Sequence, residues 1–343
     1  MLLPRVALTL GDVAGIGPEV VAKAVADPRV RDWCRPVAVG HPEVLRRALE
    51  SCPSISQRPA LRVVTSLADA WLSNEGIPCW NPSDDSAAEV PLGANDARAG
   101  RAAYTSLTAA TAAALRGELE AITTAPLSKA ALHLAGLNYP GHTEILAEQC
   151  GISDYAMMLY LPPGGAVQAS AGMGVVHVTL HTSIRSVPDL LSVAGIREKI
   201  GLIDGFMFRV SGKRPRIGVC ALNPHAGEEG LFGDEEARLI APAVALAKAE
   251  ADSNVLGPLP ADTLIKRACS GEFDAVVAMY HDQGHIALKL IGFGRAVNVT
   301  LGLPIVRTSP SHGTAFDIAG RDLADPAGMI EAIRVAVALT RPT

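Results

Sequence analysis

The chain has 343 residues, 49% hydrophobic and 19% charged, which is too long for one ordinary core and apolar enough to build about two. A net charge of -5, an isoelectric point near 6.0 and only 4% aromatic residues exclude a nucleic-acid partner, which calls for a basic patch and stacking platforms. No apolar run approaches the ~20 residues that span a bilayer, and Met1-Leu2-Leu3-Pro4-Arg5 lacks the basic start and long apolar stretch of a signal peptide, so a cytoplasmic protein with no membrane partner is expected.

Strand-like apolar runs alternate with helix-like stretches along the chain. In order, the pattern predicts a strand over 5–10, a helix over 18–26, a strand over 36–40, a helix over 42–50 and a short strand over 61–64. A long Ala/Thr-rich helix follows over 98–115, then strands at 121–124 and 175–180, a helix over 189–203 and a strand at 217–222. A helix over 234–249, a strand over 273–279 and a final helix over 326–339 complete the set. Such alternation indicates an α/β fold with a parallel or mixed sheet covered on both faces. Residues 80–95 and 162–174 read as loops, and there is no internal repeat. The six cysteines are scattered with no CxxC pair, so neither a disulfide framework nor a cysteine zinc site is expected.

Three of the predicted strands run into a histidine: 175–180 into His181, 217–222 through Asn223-Pro224 into His225, and 273–280 into His281. Ligands of open α/β sheets bind beyond the carboxyl ends of the strands. Three imidazoles delivered there would suit zinc or a neighbouring divalent ion and leave a position open for substrate. His177 lies four residues before His181, but four strand residues at ~3.3 Å separate the two rings by about 13 Å, so His177 reads as structural. His285 reads as an outer support or a first-turn helix residue behind His281. Lys289, Asn298 and Arg307 each interrupt an apolar stretch near these histidines, a combination suited to phosphate and carboxylate.

Residues 11–19, Gly-Asp-Val-Ala-Gly-Ile-Gly-Pro-Glu, join the first strand to the first helix. The glycines permit a tight turn and Pro18 fits a first helical position. The loop reads either as an ordinary connection or as an anion site at a helix N-terminus. It matches neither the Walker nor the GxGxxG pattern. In Gly141-His142-Thr143-Glu144 a ring nitrogen, a hydroxyl and backbone amides are offered together, and Thr143 reads equally as the cap of a helix over 144–149.

Taken together, these segments resemble the 4-hydroxythreonine-4-phosphate dehydrogenase family of pyridoxal phosphate (pyridoxine) biosynthesis. The matching stretches are 11–19, 126–129, 141–144, 223–228, 257–263, 280–284 and 292–320, with Asn-Pro-His-Ala-Gly-Glu and Tyr-His-Asp-Gln-Gly the most specific strings. The resemblance implies an isocitrate/isopropylmalate-dehydrogenase-like fold of two α/β/α subdomains around a central cleft. Residues 1–125 with 285–343 are then expected to form a cofactor-side subdomain, and 126–284 a metal- and dimer-side subdomain. Within that wider fold, residues 11–20 resemble the GDGIGPEV opening and 312–320 resemble the HGSAPDIAG cofactor loop. These matches point to Gly11, Asp12, Gly15, Gly313, Thr314 and Asp317 as contacts for NAD or NADP. Carried over by position, the resemblance implies metal ligands at His181, His225 and His281, with zinc, cobalt, magnesium or manganese as the ion. It also implies substrate contacts at His142, Thr143, Lys289, Asn298 and Arg307, and an acidic active-site position at Asp262.

The implied assembly is a homodimer with the site at its interface and the histidine trio drawn from both subunits. The implied reaction is metal-dependent oxidation of 4-hydroxythreonine 4-phosphate to a β-keto acid that decarboxylates to 3-amino-2-oxopropyl phosphate, with Asp262 and Lys289 as the catalytic pair. Some strings depart from the family pattern. Val13 replaces a usual proline, residues 164–174 are unlike the common hairpin, and His181-Thr182-Ser183-Ile184-Arg185-Ser186 and Gln283-Gly284-His285-Ile286 look closer to paralogous branches. Those branches act on four-carbon sugar-acid phosphates or on a cis-dihydrodiol carboxylate. From the residues alone, a His₃-metal hydrolase without a redox cofactor is the competing class.

Overall fold

The computed structural model describes residues 3–251, 253–292 and 294–340. Among them run twelve strands: β1 (Arg5–Thr9), β2 (Arg35–Val39), β3 (Leu61–Val64), β4 (Ile77–Trp80), β5 (Ala121–Thr124), β6 (Ala156–Leu161), β7 (Met173–His177), β8 (Arg216–Cys220), β9 (Asn254–Leu259), β10 (Ala275–Ala278), β11 (Val297–Leu301) and β12 (Val306–Pro310). The chain forms two compact units, one from residues up to 153 with those from 303 onward, the other from 154–302.

In the first unit the strand order is β3-β4-β2-β1-β5-β12, and the pairings of β3 with β4, β4 with β2, β2 with β1, β1 with β5 and β5 with β12 are all parallel. Parallel strands are buried on both faces and therefore read as continuous apolar runs. In β1, Val6 and Leu8 enter a cluster with Val20, Leu45 and Met329. Ala7, between them, enters another with Val37, Ala110 and Ile122. The helices Gly17–Ala26, Pro42–Ser51 and Ala327–Leu339 supply the first core and Ala97–Leu115 contributes to the second. Each fully buried Val or Leu contributes about 1.5–3 kcal/mol.

The second unit has the order β11-β6-β7-β10-β8-β9. β6 is antiparallel to β11 and β7, and the ladders from β7 through β10 and β8 to β9 are parallel. The expected loop at 162–174 is the connection of the β6–β7 hairpin, closed by a Gly164–Val167 bridge. The expected helix over 189–203 is two, Val187–Leu190 and Val193–Ser211, because the Ser192 side chain caps the second by accepting from the Gly195 amide. The expected helix over 234–249 opens with a widened π turn, Glu236–Ile240, before Ala241–Ala251.

The unit boundaries fall later than 125 and 284. The helices Lys129–Leu134 and His142–Cys150 pack through Leu132, Ile145 and Leu146 against Leu107, which holds them in the first unit. β11 pairs with β6 along its whole length, which draws residues 285–302 into the second. His142 and Thr143 therefore sit in the first unit, and Lys289 and Asn298 in the second.

Beyond β1 the chain turns through Asp12, which is 0% exposed. Its Oδ1 accepts from the Ala14 amide at 2.9 Å and its own amide donates to the Pro126 carbonyl at 2.8 Å. Burial, only partly offset by the Ala14 amide, raises the Asp12 carboxyl to about 6 from an ordinary 3.8. A carboxyl raised in the folded state contributes stability that is complete below the unfolded value and is lost as pH rises through the folded one. Asparagine mimics the neutral acid. The stability of the wild-type protein relative to Asp12→Asn should therefore fall by about 3 kcal/mol between pH 4 and 7. Denaturant titrations of both proteins across that range measure it, and parallel curves would show that Asp12 ionises without cost.

Candidate functional site

The second unit gathers imidazoles at one edge. β7 and β10 are parallel neighbours whose last residues, His177 and Ala278, are paired. The chain therefore leaves both strands on the same side of the sheet, bringing His181 and His281 together with ring centroids 5.9 Å apart. His281 opens the helix His281–Gly292, and one turn later His285 stacks on it at 3.8 Å with the rings 9° from parallel. His285 Nδ1 meets His177 Nε2 at 3.2 Å. Gly284 makes room for this pair, since a Cβ there would lie 2.4 Å from His177 Nε2.

The two inner rings are neutral at ordinary pH. Burial, reinforced by His285, holds His177 down at about 3. Burial, reinforced by His281 and Lys289, holds His285 at about 4. His281 Nδ1 lies 2.7 Å from Asp282 Oδ1, a carboxylate–imidazole pairing that leaves Nε2 as the lone-pair nitrogen. That donor set fits a divalent ion of the zinc type.

The third expected ligand is placed differently. β8 ends at Cys220 and His225 enters a run of left-handed backbone: His225, Ala226, Gly227, Glu228 and Glu229 have φ of 53°, 57°, 79°, 43° and 56°. Each non-glycine residue in that conformation costs about 1–2 kcal/mol. The His225 side chain is 74% exposed. It lines an open cavity of about 870 Å³ with Asp262, Lys266, Tyr280 and Asp282, while His181 and His281 line another of about 510 Å³. Tyr280 and Asp282 border both cavities. Asp262 is exposed, in the first turn of the helix Ala261–Cys269, with Oδ1 accepting from the Thr263 amide. Lys289 is exposed, and Asn298 Oδ1 is buried without a hydrogen-bond partner among the described residues. Such an orphan acceptor suits a ligand hydroxyl or amine.

Among the described residues, the one group of three acidic, thiol or imidazole donor atoms within 4.8 Å of one another is Glu19, Cys52 and Asp322. Lys23 Nζ already lies 2.9 Å from both carboxylates there, and Glu19 also accepts from the Ala324 amide. This is a structural tie holding the segment around 322–324 to the first helix.

In the first unit the anion-binding candidates converge. Arg307, on β12, is 2% exposed, with Nη2 donating to Thr124 Oγ1 at 2.7 Å. Burial lowers it to about 10, against the opposing pull of Glu144. Burial and the Arg307 charge together hold the half-buried His142 imidazole well below its ordinary value. The helix begins at His142 with Gly141 as its cap and no side-chain cap bond, so Thr143 lies inside the first turn and does not cap it. Its hydroxyl is thereby left for another partner.

The two glycine loops also meet in this unit. The Ile16 amide donates to the Thr314 carbonyl at 2.9 Å, and a Cβ on Gly15 would lie 2.7 Å from that oxygen, so the approach requires glycine. Gly11 is in the left-handed region at φ 65°, where a Cβ would meet the Pro126 carbonyl. Gly313 and Asp317 are exposed. Asp12 Oδ2 and His312 Nε2, one on each loop, are buried without a partner among the described residues, and such unsatisfied groups fit a polar cofactor.

Two residues were not singled out from the sequence. Gln283 Oε1 accepts from the Met279 amide and its Nε2 donates to the Ala221 carbonyl, tying the end of β10 to the end of β8. It stands inside the string Tyr-His-Asp-Gln-Gly, which was the available signal. Glu236 carried none, because nothing along the chain marks it apart from the acidic residues beside it.

The chain matches the family model for pyridoxal phosphate biosynthetic protein PdxA over residues 32–336. It is 44% identical over 334 residues to D-threonate 4-phosphate dehydrogenase of Salmonella typhimurium, covering 97% of this chain and 98% of the relative. It is also 44% identical over 340 residues to 4-hydroxythreonine-4-phosphate dehydrogenase of Geobacter metallireducens, covering 98% and 96%. Among solved structures, 4-hydroxythreonine-4-phosphate dehydrogenase of Klebsiella pneumoniae shares 43% identity with a TM-score of 0.83, over 98% of this chain and 100% of that one. Both relatives are dehydrogenases along essentially their full length, so the hydrolase alternative falls. The chain belongs to the PdxA family of pyridoxal phosphate biosynthetic proteins and is an oxidoreductase of the dehydrogenase class.

Proposed function

We propose that this dehydrogenase oxidises the secondary alcohol of a small phosphorylated hydroxy acid, 4-hydroxythreonine 4-phosphate, to a β-keto acid that decarboxylates to 3-amino-2-oxopropyl phosphate. The observation that carries the reading is the imidazole edge of the second unit, where His181 and His281 stand together over a neutral His285–His177 pair. When bound, a divalent ion (zinc, cobalt, magnesium or manganese) would polarise the alcohol, and NAD or NADP would accept the hydride. His181, His225 and His281 would hold the ion. Gly11, Asp12, Gly15, Gly313, Thr314 and Asp317 would line the dinucleotide site on the facing loops.

The remaining residues bind and move protons. Arg307 presents a desolvated guanidinium, a strong partner for phosphate or carboxylate because weak hydration lowers the cost of replacing water. His142 and Thr143, at the donor-rich start of their helix, serve the same anionic group. Asn298 Oδ1 takes a hydrogen bond from the substrate. Asp262 and Lys289 carry the proton from the substrate hydroxyl.

A second substrate reading, a four-carbon sugar-acid phosphate, is supported by the relative named D-threonate 4-phosphate dehydrogenase, which is as similar as the one named for 4-hydroxythreonine 4-phosphate. Comparing the two phosphorylated acids and a cis-dihydrodiol carboxylate by dinucleotide reduction decides between the branches. Losing one charge-assisted contact costs about 1.5–3 kcal/mol, so Arg307→Lys should reduce kcat/KM roughly ten- to a hundredfold on either phosphorylated acid. A silent Arg307→Lys with the unphosphorylated diol preferred would overturn the assignment.

The active assembly in this reading is a homodimer. Its support is that His225 lines a different cavity from His181 and His281, together with the exposed apolar side chains nearby. Leu290 is 83% exposed, Leu231 73%, Ile286 57% and Phe232 50%, more than a lone soluble chain ordinarily leaves uncovered in one region. His225→Ala and His281→Ala should each abolish turnover. Mixed and allowed to exchange subunits, the two dead variants should recover roughly a quarter of wild-type activity, because half of the dimers carry one intact site. No recovery despite demonstrated exchange would place His225 and His281 of one site within the same subunit.

A further inference from the structure

We propose that Glu236 is the positioning residue for His225, holding the left-handed turn that projects this imidazole from the protein. The inference rests on the reading of His225 as a metal ligand and concerns how the chain presents it.

The run from His225 to Gly230 has positive φ at six consecutive residues, four of them not glycine. A segment with that backbone does not persist on its own preferences, and the surrounding contacts must over-determine it. The contacts converge on one carboxylate. Glu236 is 6% exposed, and its Oε1 accepts from the Leu222 amide at 2.9 Å and the Asn223 amide at 2.8 Å. Its Oε2 accepts from Asn223 Nδ2 at 3.0 Å, and the same nitrogen donates to Glu235 Oε2 at 2.7 Å. Glu236 thus fixes the two residues immediately before Pro224-His225.

The far side of the turn presses on the same group. A Cβ on Gly227 would lie 2.8 Å from Glu236 Oε2, so the turn is folded down onto the carboxylate. The Phe232 amide then donates to the Gly227 carbonyl at 3.1 Å and closes it. Glu236 itself sits where the following helix begins with a π turn, an irregularity that recurs at functional sites. One residue earlier, Gln283 holds the Ala221 carbonyl from the helix that carries His281. The stretch from 221 to 223 is therefore clamped from two directions before it reaches His225, and Glu236 is the clamp that also contacts the turn.

A carboxylate that only capped a helix or filled the core would affect stability alone. A positioning role predicts loss of metal affinity with the dinucleotide site unchanged. The test is Co²⁺ titration of the metal-stripped full chain, read by visible absorption, with wild type, Glu236→Ala, Glu236→Gln and His225→Ala compared. Groups that orient a metal ligand are worth roughly ten- to a hundredfold in affinity. Glu236→Ala should lose that much Co²⁺ affinity while the KM for the dinucleotide stays unchanged and hydrogen exchange at the Leu222 and Asn223 amides rises. Glu236→Gln keeps an oxygen for those two amides and should recover affinity to within a few-fold of wild type.

If Glu236→Ala is too unstable to purify, Asn223→Ala removes only the Nδ2 contacts and should show a smaller loss in the same direction. Wild-type Co²⁺ affinity and spectrum in Glu236→Ala, or in Asn223→Ala if that variant is used, beside a crippled His225→Ala would overturn the positioning role alone. Wild-type affinity in His225→Ala would overturn the ligand reading on which it rests.

Discussion

The parallel pairing of β7, β10 and β8 is the constraint on which the second unit's chemistry depends. Register in a parallel ladder decides not only which residues pair but also where each strand stops and on which side of the sheet the chain leaves it. Because His177 is level with Ala278, the residues that follow both strands emerge together, and His181 and His281 meet without any local sequence preference to bring them there. β8 is the neighbour on the other side of β10, so its exit segment is near enough for Gln283 to reach the Ala221 carbonyl. A slip of one residue in either ladder would turn these side chains to the opposite face.

Desolvation is the second organising force, and the two units use it differently. In the first, it sets one retained charge beside groups that it pushes toward neutrality. Arg307 remains buried, and its field combines with burial to keep the neighbouring His142 neutral. The carboxyl of Asp12 is driven up to about 6. In the second unit, burial discharges His177 and His285, so the ring stacked on His281 adds no positive charge beside it. Burial thus leaves a positive charge on Arg307 in one unit and withholds it from His177 and His285 in the other.

Much of the architecture was legible along the chain. The strands at 61–64 and 121–124 and the helices at 42–50, 98–115 and 326–339 follow their apolar patterns to within a residue or so, because these elements are buried on defined faces. The strands β4, β6, β9, β11 and β12 were not read. β4 is a four-residue run containing proline, β9 carries an internal Gly-Pro, β11 alternates polar side chains with apolar ones, and β12 is polar at three positions in a row, Arg307, Thr308 and Ser309. The helix over 189–203 was read through a break that only the Ser192 cap reveals.

By itself the sequence determined the α/β class, the two glycine loops and the family, since these depend on local pattern and on strings of residues with little freedom to vary, whereas the strands expected to lead to His181, His225 and His281 stop at His177, Cys220 and Ala278. Tertiary structure alone decided which of those residues meet. His181 reaches His281, whereas His225 stands out on a left-handed turn, and Thr143 lies inside its helix instead of capping it. His142 and Arg307 belong to one unit, and Lys289 and Asn298 to the other. The boundaries moved because helix packing on Leu107 and the pairing of β11 with β6 outweigh sequence adjacency. The supports Glu236 and Gln283 emerged for the same reason. The bonds from Glu236 to the Leu222 amide and from Gln283 to the Ala221 carbonyl join groups more than ten residues apart, and a contact at that separation is set by where the sheet ladders end.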